Sequence, residues 1–334
     1  MKVNPKVIAG VATLFVLAIL VLNLFKASND FSAGKPGPEV SITVSNGETG
    51  SSIARDLFNA KVVRSAEVFT SLAISDKRAQ GIAPGVHKIH TTLSALEALS
   101  ELLDQKRLVG LIVVKEGSTV GDVVKSLKLS KEVLSKDLST KSVAIAISNP
   151  NHSLEGQLFP AQYSFEPNTT ANDALGEMAK KFKSSIIDSG VLKSYGKYSP
   201  YQVLTIASMV QVEGDPEVYS KVARVIYNRL SIGMPLQLNS TVQYAANLRG
   251  QIHLTTKATQ INSPYNTYRN VGLPPTPINN PSVAAIAAAQ KPIAGDWLYF
   301  ITVKPRDTRF TKSFETFQTW VTEYNKNRLA GAFK

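Results

Sequence analysis

The chain has 334 residues, 43% hydrophobic and 19% charged, which is ordinary globular material with length for two or three domains. Cysteine is absent, excluding disulfides and thiolate chemistry. The four His residues (His87, His90, His152, His253) are widely separated and show no HxxxH or HExxH spacing, leaving little for a metal centre or a Ser-His triad. A formal charge of +12 and a pI near 9.6 suggest an acidic partner surface; the basic residues are scattered, and nothing beyond net charge favours nucleic acid.

The first predicted element is Val7 to Phe25, 19 residues without a charge. That is close to the roughly 20 needed to cross a bilayer core. It reads as one transmembrane helix after a tail of residues 1–6, and Lys2 and Lys6 place that tail in the cytoplasm, with the rest of the chain extracytoplasmic. A cleaved signal peptide is the alternative; the run is longer than the usual apolar region of about 7–15 residues, and Ala27-Ser28-Asn29 is a poor cleavage site. Lys26 to Pro38, rich in Ser, Gly and Pro, reads as a linker.

Two segments then share a pattern at an offset of 70 residues: Val44 to Thr49 leading to Ile53, Ala54 and Leu57, and Val114 to Thr119 leading to Val123, Val124 and Leu127. Each predicts a strand, a Gly-containing turn, a Thr that caps, and an amphipathic helix. The first copy runs on through a second helix to Pro84-Gly85 and a closing strand, making 39–108 a β-α-α-β unit. This order resembles the LysM module, which binds N-acetylated sugars, although a structural spacer fits it nearly as well. Residues 109–153 read as a connecting β/α subdomain.

A catalytic region is expected over 154–334. Leu154 to Phe165 predicts a strand and turn dense in aromatics and carries Glu155, with the helix Ala171 to Phe182 after it. In the next helix Val203, Ile206, Ala207 and Val210 recur at i, i+3, i+4 and i+7, and Glu213 takes the following place on that stripe. A carboxylate partly buried at the negative end of a helix has its pKa raised, as a general acid near neutral pH requires. A structural Glu bonded to an Arg or a backbone amide is the alternative. Gly214 is expected as a left-handed helix cap, and Asp215-Pro216 as the start of a helix through Val218, Val222, Val225 and Ile226 that turns Asp215 and Glu217 away from Glu213. The run Ser263 to Pro275 is irregular and rich in Tyr and Asn, suited to stacking on and hydrogen bonding a saccharide. A capped Ala-rich helix (Ser282 to Gln290), a strand (Trp297 to Val303) and a helix with Phe314, Phe317, Val321 and Tyr324 on one face close the chain.

The ordered pieces LEGQLFPAQYSF, ASMVQVEG, VARVIYNRL, PLQLNSTVQYA, SPYNTYRNVGLPPTPINNPS and LYF, spanning Leu154 to about Tyr324, resemble the endolytic murein transglycosylase family (MltG, YceG-like). The resemblance implies an α+β protein: a single transmembrane helix, a LysM-like module and a mixed α/β catalytic domain. It also implies a membrane-anchored lyase cutting between N-acetylmuramic acid and N-acetylglucosamine in nascent peptidoglycan strands, leaving 1,6-anhydro ends, without a cofactor or metal. The family's acid lies in an ExE stretch whose first position is Gln211 here, leaving Glu213 as catalytic acid. Glu155, Gln237, Thr241, Tyr244, Asn266 and Tyr268 are the expected sugar contacts. The implied partners are peptidoglycan strands, the cell membrane, and wall polymerases with division or elongation proteins.

Departures accompany the likeness. Pro160-Ala161-Gln162-Tyr163 stands for the family's usual Pro-Asp-Thr-Tyr, and Asn239-Ser240-Thr241-Val242 for Asp-Pro-Thr-Val. Two usual His places around Phe310 hold Thr308 and Phe317. A non-catalytic peptidoglycan-binding scaffold and an anchored hydrolase, which would need a second carboxylate, are the alternative readings.

Overall fold

The computed structural model describes residues 29–333 except 46, 131–132, 136–137, 167 and 249–257. The expected span Val7–Phe25 lies outside them, and among the described residues no helix is long and apolar enough to cross a membrane. Contacts divide the chain into two units: Met1–Leu111 with Tyr163–Asn168, and Ile112–Gln162 with Thr169–Lys334. The segment expected as a separate connector, 109–153, therefore belongs almost wholly to the second unit. Six residues of the expected catalytic region fold with the first.

The first unit runs β1 (Glu39–Val44), α1 (Gly50–Asn59), α2 (Ala66–Ser75), β2 (Gly85–His90), α3 (Ala95–Leu103) and β3 (Leu108–Val109). Alternation along β1 turns Ile42 and Val44 inward, and β1 pairs antiparallel with β2 from Glu39↔His90 to Val44↔Gly85. Thr49 caps α1, its hydroxyl oxygen accepting from Ser52 N–H at 3.2 Å; Ile53, Ala54 and Leu57 then fall on the buried face beside Phe69 and Leu99. Asn29 to Pro38 is no free tether. Asp30 accepts from the first amide of α3, Ala95 N–H, and Gly37 N–H donates to Thr91 O at 2.8 Å. Tyr163–Asn168 docks at Gly110, whose φ of +61° suits glycine and whose added Cβ would lie 2.1 Å from Phe165 O.

The second unit takes in most of β4 (Leu111–Val114), then α4 (Val120–Leu129), β5 (Val133–Leu134), the start of β6 (Ala161–Ser164), β7 (Thr169–Thr170) and α5 (Ala171–Phe182). The predicted copy of the strand-turn-helix pattern is present: Thr119 caps α4 in a reciprocal box with Asp122. Beyond lie α6 (Pro200–Glu213), α7 (Tyr219–Ser231), α8 (Asn239–Ala246), α9 (Val283–Gln290), the hairpin β8 (Tyr299–Lys304) and β9 (Asp307–Thr311), and α10 (Phe314–Leu329).

Helix α6 is the axis of this unit. Ser199 and Gln202 form its capping box, Pro200 starts it, and every residue from Val203 to Val210 is buried against α7, α8 and α9. The expected one-sided stripe is thus a helix enclosed on all sides, and Thr205 and Ser208 fit inside by bonding back to Tyr201 O and Thr205 O. The last helix departs the other way. No residue of α10 is buried, and Phe314 is 58% exposed, its aromatic face meeting the hairpin through Phe317 on Tyr299 at 5.2 Å and Phe333 through Tyr324 at 5.4 Å.

Candidate active site

Glu213 is the last residue of α6, partly exposed where the buried helix reaches the surface. Gly214 does not adopt the expected left-handed cap; its φ of −154° and ψ of 171° are extended. Glycine is needed there for space, because a Cβ would lie 2.9 Å from Val218 Cγ2 and 3.1 Å from Val222 Cγ2. A short 3₁₀ turn, Pro216–Val218, precedes α7.

Three elements converge on the Glu213 carboxyl. From α8, Ser240 donates its hydroxyl to Oε1 at 2.5 Å and its N–H to the same oxygen at 3.3 Å. The residue preceding α8 is Leu238, which has no capping side chain, so the carboxyl of α6 supplies that cap. From α7, Arg229 is buried and bonded to main-chain carbonyls, Leu298 O at 2.6 Å and Leu236 O at 2.7 Å, with the Tyr299 ring 5.2 Å away. From the aromatic loop, Tyr268 donates to Asn239 Oδ1 at 2.6 Å.

Burial drives the Glu213 carboxyl above the ordinary carboxylate range, against the Ser240 hydrogen bonds and the Arg229 charge, which favour the ionised form. Burial and the neighbouring Glu213 also raise the Tyr268 hydroxyl, and burial lowers the Arg229 guanidinium.

Glu213 faces an open cleft of about 470 Å³. Asp215 lines it beside the acid; Thr302 and Arg306 of the hairpin, with Phe333, line its other wall. The expectation that Asp215 turns away is corrected here: extended Gly214 carries the chain on along the same cleft. A larger hollow of about 670 Å³ lies at the other end of α6, around Tyr198, Tyr201 and Pro275, and among the described residues no carboxylate lines it.

Most of the other expected contacts are placed where they build the site. Glu155 is buried, Oε1 accepting from Val120 N–H at 3.1 Å and Oε2 from Tyr244 OH at 3.0 Å, so both residues serve the start of α4. Asn266 is fully buried; its amide donates to Thr259 O and Ile261 O and accepts from Tyr268 N–H at 3.1 Å, folding the loop on itself. Fully buried Thr241 shares a hydroxyl hydrogen bond with Thr267, which also accepts from Leu238 N–H. Gln237 is exposed and its N–H donates to Thr267 O at 3.0 Å. These bonds lock the loop to the start of α8, and so fix Ser240. Gln211 bridges Tyr219 OH and Ser282 N–H, tying α6 to α7 and to the cap of α9. Thr308 pairs with Thr302 at 2.8 Å across the hairpin.

The sequence also carries a signal for Arg229: Val222, Val225, Ile226 and Arg229 continue one buried helix face, the same rule that isolates Glu213. Arg306 and Phe333 had none, because a turn and a chain end reach the cleft only through tertiary packing. Among the described residues no three His, Asp or Glu side chains gather as metal donors.

An enclosed helix that ends in a carboxyl whose pKa is raised by burial, beside a cleft, defines a protein with a group placed to deliver a proton to a bound substrate. The model of the YceG-like family matches residues 42–323. Endolytic murein transglycosylases are among the similar curated proteins. That of Bacillus subtilis strain 168 is 31% identical over 298 residues, covering 83% of this chain and 82% of its own length. That of Streptococcus pneumoniae R6 is 30% identical over 298 residues, with 78% of this chain matched, and the chain spans about half (54%) of that longer protein. A crystal structure of a YceG-like protein from Listeria monocytogenes superimposes with a TM-score of 0.54 at 25% identity, over 84% of this chain and 98% of that one. The chain belongs to the YceG-like family.

Proposed function

We propose that this protein is a membrane-anchored endolytic peptidoglycan transglycosylase, with Glu213 as acid and then base. The observation that carries it is the Glu213 carboxyl, raised above the ordinary range and lining an open cleft, in a chain similar to named murein transglycosylases. Protonated Glu213 gives its proton to the oxygen linking N-acetylmuramic acid to N-acetylglucosamine, and the bond from that oxygen to the anomeric carbon breaks. The muramoyl 6-hydroxyl oxygen bonds to that carbon, its proton passes to the Glu213 carboxylate, and a 1,6-anhydro end forms. The acid is regenerated without water.

Buried Arg229 steadies the carboxylate between the two steps. Exposed Gln237 and part-exposed Tyr268 are the expected residues best disposed to meet a sugar, whereas Glu155, Thr241 and Asn266 are buried. Val7–Phe25 would anchor the chain in the membrane, in reach of wall-building partners.

Asp215 in the same cleft favours one second reading, hydrolysis, with Asp215 activating water. The two readings differ in product mass. Uncrosslinked strands digested by the full-length protein should give ends about 18 Da lighter than hydrolytic ones, the mass of the water not added, and none with Glu213→Gln. Hydrated ends that vanish with Asp215→Asn would establish the hydrolase instead.

A further inference from the structure

A protonated carboxyl has two unlike oxygens, one that accepts and one that donates. In Glu213 the first role is already assigned by geometry. Oε1 accepts from both the hydroxyl and the N–H of Ser240, while among the described residues Oε2 makes no hydrogen bond and the side chain borders the cleft. An oxygen that accepts from a backbone N–H and a hydroxyl is the poorer seat for the proton, which is therefore favoured on the other oxygen. The cap position before α8 is an apolar Leu238, so these donors have no competing local acceptor. Ser240 itself is held by the bonds of Thr241 and Leu238 to Thr267.

We propose that Ser240 is a positioning residue that occupies Oε1 of Glu213 with two hydrogen bonds and thereby directs the acid's proton to Oε2, facing the cleft. The inference rests on the transglycosylase reading for its consequence in catalysis, but its geometry is testable without activity. The other groups facing the acid are Arg229 from α7, Tyr268 from the loop, and Asp215 and Arg306 along the cleft, and all are retained in Ser240 variants. Losing donors that favour the ionised form sends the carboxyl higher still.

The test uses the full-length protein in detergent micelles. The carbonyl stretch of protonated Glu213 is assigned by infrared difference against Glu213→Gln, and Ser240→Ala, Ser240→Pro and Ser240→Thr are compared with the parent. The band should move to higher frequency in Ser240→Ala, further in Ser240→Pro, and return in Ser240→Thr, since a C=O freed of donors stiffens. In parallel, the alkaline limb of kcat/KM on glycan strands should rise by about one pH unit in Ser240→Ala, with about a tenfold loss at its plateau, and Ser240→Thr should recover both. Proline is tolerated in a first helical turn, so Ser240→Pro keeps the comparison open if the alanine variant folds poorly. An unmoved band in Ser240→Ala and Ser240→Pro overturns the proposal. Full activity in Glu213→Gln would instead overturn the transglycosylase reading, leaving the band result to decide the geometry on its own.

Discussion

The two units differ most in what they bury. Among the described residues the first encloses aliphatic side chains with Phe69, Tyr163 and Phe165, and has His87, Thr91 and Ser94 as its buried polar residues. The second buries Glu155, Gln157, Thr205, Ser208, Arg229, Thr241, Asn266, Thr267, Asn279 and Asn280. A buried polar group is costly unless paired, so each constrains its surroundings far more than another Leu would. The lesson is where to look for function. In the second unit these groups are hydrogen-bonded into a polar frame, part of which, through Thr241, Asn266 and Thr267, fixes the Ser240 that holds the Glu213 carboxyl.

The sharpest break between the units should come from the acid itself. Glu213→Gln keeps an acceptor for Ser240 and should fold normally while losing about 10²–10⁴ in kcat, measured on glycan strands. Next in size is the frame. Asn280 accepts from Leu158 N–H at 2.9 Å and donates to Ser118 O at 2.8 Å, so Asn280→Ala should destabilise the second unit by about 2–4 kcal/mol in denaturant unfolding.

Acid should then move the units in opposite directions. Buried His87, its Nε2 bonded to Ala83 O, has its pKa lowered by burial, so its unfolded form binds more protons. Stability from His87 is present above its ordinary value of about 6.5 and lost as pH falls below it. Glu213 has a raised pKa, so its contribution is full below the ordinary carboxylate value and lost as pH rises through the folded one. The protection factors of β2 amides, taken relative to intrinsic exchange at each pH, should therefore fall from pH 7 to 5. The Tm of Glu213→Gln should exceed the parent's at pH 8 by a margin that vanishes at pH 4. The smallest effect compares the repeated caps: Thr49→Ala and Thr119→Ala should each cost about 1 kcal/mol, because residue 119 keeps its backbone N–H bond to the Asp122 carboxylate when the hydroxyl is lost.

Local rules made much of this legible. The helix Ala171–Phe182 and both Thr-capped helices lie where capping and apolar period put them. The illegible parts depend on distant partners: a Ser-Gly-Pro stretch becomes a docked segment because Asp30 finds the first amide of α3, and α6 is enclosed on all sides because α9 returns from far along the chain. At the site, Glu213 was legible as an acid out of place in an apolar run. Asn266 and Thr241 look alike in sequence whether they bind a sugar or fold a loop, and only burial separates the two uses.

The most direct measurement of the central claim is a ¹³C NMR titration of the Glu213 carboxyl in the full-length protein in detergent micelles, assigned by its loss in Glu213→Gln. The account predicts an inflection well above the ordinary carboxylate value of about 4.3. An inflection at or below that value would contradict it, leaving Glu213 an ionised cap for α8 and not the acid of the cleft.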